Sequence, residues 1–196
     1  AVYFPLSYIV SGFTQLAGWK TFPEWLAFWR VIFLEFNIGI CYLIFKICAD
    51  RKAPLLGIFG ALFWLFNRWT LHVTLINHLD FVALFLLIFS LSLVPRRFNL
   101  ACIMFGISLA FKQIAIFALP LYLIWCWQME GANRPQRLLK AFLLIAAIPL
   151  ILSAPFLIWN AEGFLKSIMF SETRNPMDQF SAPSLDELFK FNGIPA

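Results

Sequence analysis

Charge is what this sequence has least of. Fifteen Lys and Arg and ten Asp and Glu are all it carries over 196 residues, or 13%. A water-soluble domain of ordinary composition holds about twice that share. Histidine is rarer still, at two. The four cysteines, Cys41, Cys48, Cys102 and Cys126, lie in apolar runs without a CxxC pair. They read as small buried hydrophobes, and neither a disulfide frame nor a zinc site is indicated. His72 and His78 lack the i, i+4 spacing of helical metal ligands, so no metal is expected. Too little polar surface remains for an ordinary cytosolic enzyme, a disordered chain or a nucleic-acid binder.

What is abundant is hydrocarbon. Sixty-two per cent of the chain is hydrophobic, with 24 Phe, 8 Trp and a mean hydropathy of +0.82. A domain of this length has too little interior to hide that much apolar surface. A lipid bilayer is therefore the expected solvent, with the net charge of +5 in loops beside it. The aromatics suit interface belts and lipid-facing packing.

A membrane helix needs about 20 apolar residues. Residues 25–47 meet this. Further runs cover 54–66, extendable through the mixed stretch 67–76, then 81–94, 98–111, 114–127 and 141–159. Basic residues favour the cytoplasmic side of short loops. Lys46, Arg51 and Lys52, then Arg96 and Arg97, then Arg134, Arg137 and Lys140 fall in alternate loops. The intervening loops carry one base each, Arg68 and Lys112. Six spans with the first running inward satisfy this pattern. The expected fold is an all-α polytopic transmembrane bundle: an outer juxtamembrane segment (1–24), a membrane domain (25–159) and an outer periplasmic or lumenal segment (160–196). The chain starts at Ala1 without a basic leader and stops at Ala196 without a tail, which suggests a piece of a longer protein.

Two features depart from a plain bundle. The runs 98–111 and 114–127 are only 14 residues each, about 21 Å as helix against a hydrocarbon core near 30 Å. Short helices are tolerated where they line a wet cavity. Lys112-Gln113, between them, is accordingly expected at the floor of an outward-facing cavity. Residues 67–80 mix Asn67, Arg68, Thr70, His72, Thr74, Asn77, His78 and Asp80 with apolar residues. They read as a short interfacial helix feeding the third span.

Among the ionisable residues, Glu35 lies in mid-span and needs a partner, most simply a base on another helix. Arg30, five residues away, is poorly spaced to share its face and can snorkel outward. Asp80 suits the N-cap of the third span. Lys112 reads equally as a loop lysine or as a cation that neutralises a lipid phosphate or pairs with an acid. Glu172 and Arg174 belong to a polar outer segment. Ser184-Leu-Asp-Glu187 forms a capping box, and Phe164, Leu165, Ile168 and Met169 form an apolar stripe suited to the outer membrane surface.

The order of several short strings resembles the multi-span GT-C glycosyltransferases that use polyprenyl-phosphate sugars, nearest to the family 87 mannosyltransferase-like group. These strings are Tyr3-Phe-Pro-Leu6, Asn77-His-Leu-Asp-Phe-Val-Ala-Leu84, Leu109-Ala-Phe-Lys-Gln-Ile-Ala-Ile-Phe-Ala-Leu-Pro120, Pro155-Phe-Leu-Ile-Trp-Asn-Ala-Glu-Gly-Phe-Leu-Lys166 and Ser181-Ala-Pro-Ser-Leu185. Phe4 stands where the family has the first of two prolines. The resemblance implies a transferase that moves a hexose, mannose by the nearest group, from a polyprenyl-phosphate donor. The acceptor is a hydroxyl of a glycan or glycolipid on the non-cytoplasmic side of a plasma or endoplasmic-reticulum membrane. It implies no cofactor. The family's general base, an Asp in the first outer loop, would precede Ala1, so these residues alone would be inactive. On the same side, Lys112, then Arg174, with Arg68 and His78, are candidates to meet the leaving phosphate, and Asp80 to orient the acceptor. A transporter or lipid flippase shares the short helices but calls for an internal repeat, and none is visible. A non-catalytic membrane subunit calls for a closed, apolar surface around Lys112.

Overall fold

Helix boundaries in this chain fall where proline, asparagine or a paired charge resolves the orphaned backbone groups of a helix end. A computed structural model describes residues 5–75, 80–129 and 133–173. Among these every regular element is helical: α1 (Pro5–Leu16), α2 (Phe22–Asp50), α3 (Pro54–Phe66), α4 (Arg68–Leu75), α5 (Asp80–Leu93), α6 (Phe98–Phe111), a 3₁₀ segment (Gln113–Ala118), α7 (Leu119–Gln128) and α8 (Arg134–Thr173).

Residues 5–16, expected only as an outer segment, form a helix. Leu6 and Val10 of α1 pack beside Trp29, Val82 and Phe111. α2 begins at Phe22, three residues before the apolar run, because Thr21 and Glu24 form a capping box behind Pro23. The Thr21 amide donates to the Glu24 carboxylate at 3.3 Å. At its other end the Ala53 amide reaches the Cys48 carbonyl and Lys52 that of Ala49, both at 2.9 Å. This is a Schellman turn, with Lys52 at φ 61° in the left-handed position that glycine usually fills. The turn folds α3 back along α2.

The run 114–127 is not one helix. Pro120 cannot donate within a helix, and the first six residues wind as the 3₁₀ segment before α7 begins. The last element is longer than expected. It starts at Arg134, within the expected loop 128–140, with Pro135 in its first turn. It runs on past residue 159 to Thr173, broken at Asn160 (φ −155°, ψ 85°). The Asn160 side chain accepts from the Gly163 amide at 2.8 Å and so caps a second helical segment. The break coincides with the boundary expected at residue 160.

α5, α6, α7 and α8 enclose the main core around Cys102, Phe105, Tyr122, Cys126 and Ile145, all at most 2% exposed. A second cluster joins Trp29 and Phe33 of α2 to Val82, Ala83 and Phe111. Small residues and serines seat the helices against one another. Ser108 donates to the Ala83 carbonyl at 2.6 Å, and Ser90 to that of Ala101 at 2.8 Å, with the Tyr122 hydroxyl 3.1 Å from Ser90. A Cβ on Gly106 would stand 2.8 Å from the Ile145 carbonyl oxygen and 3.2 Å from the Ile148 side chain, so the backbones of α6 and α8 approach closely there.

Two helices, Phe22–Asp50 and the Arg134–Lys166 part of α8, are long and apolar enough to cross a membrane. A soluble core helix would be mostly covered. The most apolar windows of these two are only 22% and 17% buried, so their hydrophobic surface faces outward. The remaining apolar helices are shorter. The basic loops converge at one end of the bundle: Lys46, Arg51 and Arg96 surround a cavity of about 370 Å³ with Trp125. Arg96 stands 3.5 Å from Asp50 there, both exposed.

The close approach at Gly106 gives a direct test. Gly106→Val has no room, and overpacking of this kind costs about 1–3 kcal/mol. Heating the protein with a thiol-reactive dye, which labels buried Cys102 and Cys126 only on unfolding, should show a clearly lower melting temperature. Gly12→Ala, with nothing within 4 Å of the added carbon, should melt like the parent.

Candidate functional site

The end of the bundle opposite the basic loops is where helices stop rather than turn. α5 opens with Asp80 and α6 closes at Phe111, leaving Lys112 extended (φ −149°, ψ 127°) before the 3₁₀ segment. These helices lie antiparallel, so a helix start and a helix end are neighbours. The Lys112 ammonium donates to Asp80 Oδ1 and forms an ion pair with it. Each charge suits its helix terminus, the carboxylate at an N-terminus and the cation at a C-terminus. Lys112 is nearly enclosed, with 11% of its side chain exposed, while Asp80 keeps 36%.

Asp80 is also part of the wall of an open cavity of about 600 Å³. Trp64, Trp69, Phe81, Leu84, Ile114 and Phe117 contribute most of its apolar surface, and Asn67 and Thr70 add polar groups near Asp80. Lys112 was expected at the cavity floor. It lies behind Asp80 instead and acts on the cavity through that carboxylate.

Asn67 ends α3 and starts α4, its side chain accepting from the Trp69 amide at 2.8 Å. A buried relay then holds α4 in place. The Trp64 indole donates to Asn37 Oδ1 (3.2 Å), Asn37 Nδ2 donates to Thr74 (3.1 Å), and Thr74 donates to the Thr70 carbonyl (2.7 Å). Asn37, in the middle of α2, is 2% exposed and is the hub. Nothing in its apolar surroundings marked it in the sequence. A polar residue in mid-span was the available signal, and only Glu35 was read that way.

Three more buried polar atoms at this end have no hydrogen-bond partner among the described residues: the indole nitrogens of Trp25 and Trp29 and the Gln113 Oε1. Trp29 packs with Val82 and Phe111, sequence neighbours of the ion pair. Trp25, Trp29 and Gln113 are not among the residues that line the cavity, so these atoms are unanswered polar groups within the helix packing.

The structure thus brings Lys112 and Asp80 together, and it does not bring Arg68 to them. Arg68 is exposed at the first turn of α4 and is not among the residues lining the cavity, although its neighbours Asn67 and Trp69 are. His78 and Arg174 lie outside the described residues, as do the Ser184 capping box, the Ser181 string and the Tyr3-Phe4 half of the first string, whose Pro5 and Leu6 open α1. Glu35 overturns its expectation. It is exposed on α2 and has no basic partner among the described residues. No family model, curated protein or solved structure matches the chain.

Removing one member of the pair strands the other charge. Lys112→Ala and Asp80→Asn should each lower unfolding free energy by about 1–3 kcal/mol, less than for a fully enclosed pair because Asp80 touches solvent. In a double-mutant cycle, Lys112→Ala with Asp80→Asn should cost less than the two single changes added together. Strict additivity would show that the pair carries no coupling.

Proposed function

We propose that the protein is an integral-membrane hexosyltransferase of the GT-C kind, taking a hexose from a polyprenyl-phosphate donor on the non-cytoplasmic side. The observation that carries this reading is the ion-paired Asp80 set into the wall of an open, lipid-like cavity at the end of the bundle away from the basic loops. A closed apolar surface there would have favoured a non-catalytic subunit.

On this reading α2, α3 with α4, α5, α6, the 3₁₀ segment with α7, and the first part of α8 form six membrane passages. The basic loops face the cytoplasm. The short passages are tolerated because they border the cavity rather than lipid alone. The aromatic wall takes the isoprenoid portion of the donor, and the sugar and phosphate lie near Asp80. Lys112 fixes Asp80 in the wall, and the Asp80 carboxylate accepts a hydrogen bond from a substrate hydroxyl and orients it. Lys112 sits one carboxylate behind the reacting groups, and its effect on the leaving phosphate is electrostatic rather than by direct contact.

The test is transfer of radiolabelled mannose from a polyprenyl-phosphate donor by the complete protein in proteoliposomes. Asp80→Ala should lower transfer at least about 100-fold, a loss near 2.7 kcal/mol of transition-state stabilisation. Lys112→Ala should lower it about tenfold or more, while both variants insert normally. Arg68→Ala, off the cavity wall, should leave transfer within about twofold of the parent, since exposed charges away from a site carry little. Full transfer by the Asp80 and Lys112 variants would remove the pair from the site. Absence of transfer by the parent with all polyprenyl-phosphate hexoses tried would remove the activity.

A further inference from the structure

Glu35 is one residue from the midpoint of α2, about 15 Å along the helix from Trp25. It points out of the bundle, where a bilayer would place hydrocarbon against a carboxylate. Its surroundings on that face follow a heptad rhythm. With Val31 and Ile38 as a positions and Ala27 and Leu34 as d positions, the stripe is exposed throughout. Val31, Leu34 and Ile38 are 57%, 51% and 57% open. In this register Arg30 is a g position and Glu35 the following e position, and both are exposed. The opposite face, with Trp29, Phe33 and Ile40, is the one buried in the bundle, and Asn37, at the g position after Arg30, turns in to it.

The five-residue separation that keeps Arg30 and Glu35 apart within one helix is the separation that joins them between two. In a parallel helix pair, a g residue meets the e residue five positions later on the partner, and such pairs set partner choice and orientation. An antiparallel pair sets g against g and e against e, here Arg against Arg and Glu against Glu. Copies of one chain inserted with the same topology are necessarily parallel. We infer that the outward face of α2 is a homodimer seam, in which Arg30 of each copy pairs with Glu35 of the other across the Ala27–Val31–Leu34–Ile38 stripe. The two reciprocal pairs neutralise both mid-membrane charges, and the apolar stripe lies between them. This rests on α2 crossing the membrane and not on the transferase reading, so loss of one leaves the other standing.

The experiment uses the complete protein in native membranes, with Cys41→Ser and Cys48→Ala to silence the partly exposed thiols, Cys102 and Cys126 being buried. Leu34→Cys and Ile38→Cys should each give a disulfide-linked dimer on mild oxidation. Phe63→Cys, equally open on α3, should not. Arg30→Glu alone and Glu35→Arg alone should each cut the cross-linked fraction at least about fivefold, and R30E/E35R together should restore it to within about twofold, because the swapped charges pair again. The rescue separates a specific seam from a folding defect. The inference is overturned if Leu34→Cys stays monomeric, links only within its own chain or to a different protein, or if the charge variants and the double swap all cross-link alike.

Discussion

A lysine and an aspartate on the ends of two antiparallel helices hold this structure's candidate site in place. Without Asp80 the nearly enclosed Lys112 ammonium at the end of α6 would be left without its carboxylate, at a cost of about 1–3 kcal/mol. With it, the chain can stop α6 early, leave Lys112 extended and wind six residues as 3₁₀ before resuming at Pro120. That interruption supplies Ile114, Ala115, Phe117 and Ala118 to the cavity wall. A continuous helix from 98 to 128 would have filled or bypassed this space. The same contact therefore stabilises the break, shapes the cavity and presents a carboxylate in it.

The other polar groups obey the same constraint in different ways. Asn37 spends both ends of its amide on Trp64 and Thr74 and so ties α2 to α3 and α4. Ser90 and Ser108 give their protons to carbonyls of the neighbouring helix. Trp25, Trp29 and Gln113 leave buried polar atoms without a hydrogen-bond partner among the described residues. Arg30 and Glu35 are turned outward, away from the packed helices. Whether a polar residue is structural, substrate-facing or partner-facing is decided here by which face of its helix it occupies.

Much of this was legible along the chain. The helices at 54–66 and 98–111 end on the residues where the apolar runs end, because Pro54, Asn67, Arg97 and Lys112 punctuate them. The start of the helix at 80 followed from Asp80, and the break at 160 from the change in composition. Less was visible where a local device competed with the apolar pattern. The Thr21–Glu24 capping box moved one helix start outward, and Pro120 turned half of an expected helix into 3₁₀ winding. Asn37 went unread because one amide in a long apolar run has no spacing to betray its partners, which come from residues 64 and 74. Glu35 was read with the right need and the wrong direction, since mid-span position says that a charge requires a partner but not on which side.

Composition and residue order alone point to a chain of apolar helices, mark several of their ends, and single out the few ionisable residues worth weighing. These follow from local rules: backbone donors, proline geometry and the low charge of apolar runs act within a turn or two. The tertiary arrangement alone decides that Lys112 reaches Asp80 thirty-two residues away, that Arg68 does not, and that Glu35 faces outward. Those outcomes depend on helix rotation and on which helices lie side by side. Both are set by the packing of Gly106, Ser108, Trp29 and Phe111 against distant partners, and no local pattern in the chain encodes them.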